Sequence, residues 1–116
     1  MDVETIRRFC LSLPHATEGV QWDNDLLFRV GGKIFAVVSL DRAPNRLSFK
    51  CAPEKFAELC EQDGITPAPY MARHYWVTLE RPDALAASET KALVRNSYEM
   101  VWAKLTNKAR AELEGR

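Results

Sequence analysis

The sequence predicts an α+β fold, a single domain whose antiparallel sheet is packed on one face by helices. Three observations carry that expectation. Apolar stripes at helical spacing and short strand-like runs follow one another in the order helix, three strands, helix, strand, helix. The pair Gly31-Gly32 separates two strand-like runs, and two residues free to take positive φ are what a tight hairpin needs. A long stripe running to Leu105 closes the pattern. A chain of 116 residues with 47% hydrophobic content suits one core.

Taken in order, Val3, Ile6, Cys10 and Leu13 fall on one helical face, widened by Phe9, with Asp2 as N-cap and Pro14 as stop. His15–Asp25 mixes Gly, Asn and acidic residues and reads as a loop, with a short strand at most over Val20–Trp22. Leu26–Val30 and Lys33–Leu40 form the hairpin around Gly31-Gly32. Asp41–Arg46 is a turn, and Leu47–Cys51 alternates as a strand. Pro53 opens a helix with Phe56, Leu59 and Cys60 on its apolar face, ended by Asp63-Gly64. Thr66–Tyr70, with two prolines, is a stiff loop, and His74–Glu80 is the last strand. Ser88 is the expected cap of the long helix, which turns Ala92, Leu93, Val94, Ser97, Tyr98, Val101, Trp102 and Leu105 to the core. The domain covers residues 1–106, and 107–116 is a charged C-terminal tail expected to fray.

If helices cover one face, strand alternation names the residues on the other. Leu26, Phe28 and Val30 point inward and Arg29 outward; Leu47, Phe49 and Cys51 inward, Ser48 and Lys50 outward. Tyr75, Val77 and Leu79 take the core side of their strand, leaving Trp76 and Thr78 outside. Around Lys33–Leu40 two registers are open. A two-residue loop puts Phe35 and Val37 in the core; a three-residue loop with a bulge puts Ile34, Ala36 and Val38 there instead.

A set of sequence words spans nearly the whole chain: LPHATEG at Leu13–Gly19, FRVGGKIFAVV at Phe28–Val38, LSFKCAPEKF at Leu47–Phe56, PAPYMARHYWVTL at Pro67–Leu79 and NSYEMVWAKL at Asn96–Leu105. In this the chain resembles the MmcQ/YjbR family of small bacterial proteins. His15 stands where such sequences commonly carry a small residue. The resemblance implies a frataxin-like (CyaY-like), or double-wing, arrangement. It also implies DNA binding.

Charge patterning gives that expectation its residues. The 16 basic and 16 acidic side chains cancel, whereas strong nonspecific nucleic-acid binders are usually basic overall. The balance is segregated, however. Between Arg29 and Lys50 five basic residues (Arg29, Lys33, Arg42, Arg46 and Lys50) meet Asp41 alone, a local charge of +4 with acidic flanks. On a DNA-binding reading these five contact phosphates, Arg42 and Arg46 from a hairpin wing, and Trp76 offers a stacking surface. The alternative is a protein- or small-ligand-binding module on the same face, without a nucleic-acid role, in which Trp76 matters more than the wing. The blandest reading makes them ordinary surface residues, with Trp76 covered by a loop or a partner. A monomer or weak homodimer fits either binding role.

Other chemistries find little support. Among the two histidines and three cysteines no metal-ligand spacing occurs, and no nucleophile elbow or phosphate loop is present, so no cofactor, metal or enzymatic activity is expected. His15 with Glu18, Asp23 and Asp25 is the one acid–base grouping available, and as a polar loop it reads first as turn chemistry. Cys10, Cys51 and Cys60 read as reduced, mostly buried thiols. No apolar run suits a membrane span and no signal core opens the chain, which leads us to expect a cytoplasmic protein.

Overall fold

Helix α1 (Val3–Ser12) starts where the sequence places it: Thr5 N–H donates to Asp2 Oδ1 at 2.8 Å. The computed structural model describes residues 1–22, 24–69 and 71–115; the expectations that touch Asp23, Tyr70 and Arg116 lie outside the described residues. After α1 come β1 (Thr17–Gln21), β2 (Asp25–Val30), β3 (Lys33–Ser39), β4 (Arg46–Lys50), α2 (Pro53–Cys60), β5 (Ile65–Pro67), a 3-10 turn (Ala72–His74), β6 (Trp76–Leu79), α3 (Ala87–Lys104) and α4 (Asn107–Glu114). The strands form one antiparallel sheet in the order β1-β2-β3-β4-β6-β5. Among the described residues no helix is long and apolar enough to cross a membrane.

The core lies between the sheet and the helices. Phe28, Val30, Phe35, Val38, Leu47, Phe49, Val77 and Leu79 meet Ile6, Cys10, Leu59, Leu93, Val94, Tyr98 and Val101. Alternation in β2 and β4 is as expected, so the outer face holds Arg29, Ser48 and Lys50. Leu27, between core-facing Leu26 and Phe28, also falls on that face by alternation, yet it is fully buried.

The register of β3 combines both sequence alternatives. Gly31 (φ 59) and Gly32 (φ 80) make the two-residue loop, and Val30 pairs with Lys33. The pairing then slips: Arg29 faces Ile34 while Phe28 faces Ala36, which leaves Phe35 as an extra residue. Phe35, Ala36 and Val38 are all buried in the core, so Ile34 and Val37 go outward. The bulge displaces the ladder beside Phe35, and Ser97 of α3 repairs it. Lys50 N–H donates to Ser97 Oγ at 3.0 Å, and Ser97 Oγ–H donates to the Phe35 carbonyl at 2.7 Å.

Gly31 is tied to this corner. A Cβ there would sit 2.6 Å from Leu105 Cδ1, on a backbone already at positive φ. At Gly32 nothing lies within 4 Å. Gly31→Ala should therefore lose about 1–2 kcal/mol of backbone preference and displace Leu105 as well. Gly32→Ala should lose only the backbone part. Equal midpoints for the two variants in denaturant melts would contradict this.

Several elements depart from the sequence expectation. The Thr17–Gln21 segment is a full edge strand paired with β2, not a loop. Ile65–Pro67 pairs with β6 at the other edge, where Pro67 is tolerated. The last strand begins at Trp76 rather than His74, because the 3-10 turn ends on Tyr75 in the left-handed region (φ 64). Tyr75 is thereby 41% exposed, edge-on to Phe56, and not a core residue. Helix α3 begins at Ala87 with no side-chain cap, so Ser88 is inside the helix, and Ala92 is exposed. Within the expected tail, Asn107–Glu114 folds as α4, capped by Thr106 Oγ1, which accepts from Ala109 N–H at 3.0 Å, with Leu113 packed on the core.

Candidate functional site

The outer sheet face is a long groove, and Trp76 with Met71 line both of its halves. At Trp76 the structure departs from the stacking-surface reading and matches the covered one. Trp76 points outward as alternation requires, but it is only 4% exposed. Ala68 and Met71 lie against it: Ala68 N–H donates to the Trp76 carbonyl at 3.0 Å and Met71 lines the groove with it. Trp76 is thus the floor of the groove rather than a free stacking platform. Thr78 is buried next to it and shares a 2.8 Å hydroxyl hydrogen bond with Ser48 across the strands.

One half, of about 560 Å³, lies at the end where β2 and β4 begin. It has mixed charge, with Asp25 and Asp41 beside Arg42 and Arg46. Arg46 is held by Glu80 at 2.8 Å, and Glu80 also accepts from Thr66. Arg42 is exposed and forms no ion pair among the described residues. The turn that carries it is ordered by Asn45, whose Nδ2 donates to the carbonyls of Ser39 and Arg42, both at 3.0 Å. Trp22, 62% exposed, stands at this end. It is the accessible aromatic that Trp76 was expected to be.

The other half, of about 730 Å³, lies four residues further along β2 and β4, about 13 Å at the rise of a strand. Among the described residues its charged lining is cationic: Arg29, Lys33, Lys50 and Lys104, with His74 beside them and Ile34, Val101, Met71 and Trp76 as apolar wall. Among the described residues none of the four cations forms an ion pair; Arg29 donates only to the neutral Gln21 amide, at 2.9 Å. Burial first, and the neighbouring Lys104 ammonium second, pull the Lys50 pKa below the ordinary lysine value.

The structure therefore divides the six expected residues. Arg29, Lys33, Lys50 and Trp76 share the cationic half; Arg42 and Arg46 lie at the far end, with Trp76 between. Two contributors were not singled out in the sequence. Trp22 turns outward because it adopts a left-handed conformation (φ 51), which no residue pattern announces. Lys104 carries only a weak signal, one turn past the buried Val101.

The alternative chemical groupings are occupied structurally. His15 (φ 65) stacks on Trp102 at 5.9 Å between ring centroids, and Trp102 stacks on Tyr98. Glu18 is clamped by Arg7 through contacts of 2.7 and 2.6 Å, which holds its carboxyl below the usual range. Burial pushes the Cys10 thiol up to about 12 and the Cys51 thiol to about 11, the wrong direction for a nucleophile. Among the described residues no group of His, Cys, Asp and Glu could hold a metal ion.

The same architecture occurs in solved structures. A crystal structure of the Deinococcus radiodurans protein DR2400, of the DUF419 domain family, shares 31% identity and superposes with a TM-score of 0.88, covering 97% of this chain and 88% of the other. A Pseudomonas syringae protein shares 20% identity at a TM-score of 0.71, covering 87% of this chain and 99% of its own, which establishes likeness of fold alone. No curated protein matches the sequence significantly. The YjbR family description matches residues 11–100, a span that holds all six strands, the bulge with its Ser97 bridge and every cation of the groove except Lys104; the chain belongs to the YjbR family.

Proposed function

We propose that this protein is a non-catalytic nucleic-acid-binding module that lays a single strand along the outer sheet face. The observation that carries this reading is the run of cations along one groove that form no ion pairs among the described residues. Arg42 stands at one end and Arg29, Lys33, Lys50 and Lys104 at the other, with the exposed Trp22 beside Arg42. Phosphates placed about 13 Å apart reach both ends, and a base between or beside them can stack on Trp22. A single strand fits better than a duplex, because stacking on Trp22 requires an unpaired face. The raised thiol pKa values and the structural engagement of His15 and Glu18 support a binding rather than a catalytic role.

The test is fluorescence anisotropy of labelled single- and double-stranded DNA across a salt series. Four phosphate contacts on a single strand give a log–log salt slope of roughly −3. Arg42→Glu with Lys33→Glu changes two exposed residues that hold no structural ion pair among the described residues. The double variant should bind more weakly to every sequence and flatten the slope by roughly 1.4. Absence of binding at low salt, or unchanged binding by the double variant, removes this reading.

A further inference from the structure

We infer that the cationic half of the groove is a seat for a compact, multiply charged phosphate group of the diphosphate type, free or carried on a nucleotide. This goes beyond strand binding: it shares Arg29, Lys33, Lys50 and Lys104 with that reading but does not depend on it.

The cations come from four separate elements and converge on one cavity. Arg29 is near the end of β2, Lys33 opens β3, Lys50 ends β4 and Lys104 closes α3. His74 adds a further donor from the 3-10 turn. Among the described residues no carboxylate lines the cavity, and its volume of about 730 Å³ lies within the ordinary range for small-molecule sites. Surface lysines normally spread apart or find acidic neighbours. Here Lys50 is partly withdrawn from water and stands close enough to Lys104 for that ammonium to disfavour its charge. The C-terminal end of α3 accounts for Lys104, since a helix C-terminus favours a cation. It does not account for Lys50, which ends a strand. An anion bridging the two ammonium groups offsets both the repulsion and the desolvation.

The charge density separates this ligand from an internal phosphodiester. One backbone phosphate carries a single negative charge, whereas four cations gathered in one cavity match a group that carries several. The apolar wall of Ile34, Val101, Met71 and Trp76 limits water on one side and strengthens each contact.

The experiment is isothermal titration calorimetry of the full chain with sodium pyrophosphate, against sodium sulfate at equal ionic strength. Pyrophosphate should bind at least tenfold more tightly than sulfate, and Lys50→Met with Lys104→Met should remove that preference. Thermal melting of the double variant should show an unchanged or raised midpoint, because a like-charge pair has been removed; this separates lost binding from lost folding. Equal affinity for pyrophosphate and sulfate, or an undiminished preference in a folded double variant, overturns the proposal. ADP and AMP distinguish the sources. ADP binding as tightly as pyrophosphate, with AMP much weaker, assigns the diphosphate to a nucleotide. Exclusion of ADP alongside retained pyrophosphate binding assigns the free anion. DNA binding without pyrophosphate binding sinks this inference and leaves strand binding standing; pyrophosphate binding without DNA binding does the reverse.

Discussion

Trp76→Ala is expected to cost about 3–5 kcal/mol of folding stability, against a total of about 5–15 for a domain of this kind. The side chain is 4% exposed, and it underlies both halves of the outer groove. Its removal leaves Met71 without a floor and opens the neighbouring buried Ala68 and Thr78 to water. Urea unfolding followed by far-ultraviolet circular dichroism measures the effect as a lowered midpoint. Trp22→Ala is the matched control. Trp22 is 62% exposed, so its loss should change stability by less than about 0.5 kcal/mol. A binding defect in Trp22→Ala reports on stacking, whereas one in Trp76→Ala reports first on folding. If Trp76→Ala melts like the parent protein, the residue does not support the groove as described.

This contrast marks where the sequence is legible. Parity in a strand puts Arg29, Lys50 and Trp76 on one face from sequence alone, and the structure agrees for all three. Parity cannot say what crosses over that face. Ala68 and Met71 are tied to Trp76 through backbone bonds that have no sequence signature. The charge run had a similar fate. Five basic residues between Arg29 and Lys50 are visible by counting, but Glu80, thirty-four residues beyond Arg46, neutralises one of them. Lys104, far along the chain, joins three others. The strongest concentration of positive charge therefore lies at the Gly31-Gly32 end rather than at the wing with Arg42. Among the strands, β2 and β4 are readable because one face of each is uniformly apolar. The edge strands β1 and β5 are half-exposed or contain proline, so their pairing is settled by the sheet rather than by their own residues.

The bulge at Phe35 gives the second large expected effect. A hairpin with a two-residue loop and strict alternation would place Val37 in the core and Ala36 outside. Inserting one extra residue lets Phe35, Ala36 and Val38 all face the helices while the tight turn is kept. That gain of buried apolar surface leaves a backbone donor at Lys50 and an acceptor at Phe35 to be satisfied, and one hydroxyl bridges both. Ser97 is fully buried, so water cannot replace it without a rearrangement. Ser97→Ala should leave the two groups unpaired at about 1–3 kcal/mol each, a combined loss of about 2–4 kcal/mol once partial relaxation is allowed. Two readouts separate this from a generic cavity effect. The midpoint of denaturant unfolding should fall, and hydrogen exchange at the Lys50 amide should accelerate beyond what global destabilisation explains. Retained protection of that amide in Ser97→Ala would show that the strand pairs without the bridge. Because Lys50 ends the strand that Ser97 pins, the same substitution should also loosen the cationic half of the groove, weakening anion binding while leaving every charged side chain in place. Stability and site geometry are thus coupled through one hydroxyl group, a link that neither residue's sequence neighbourhood discloses.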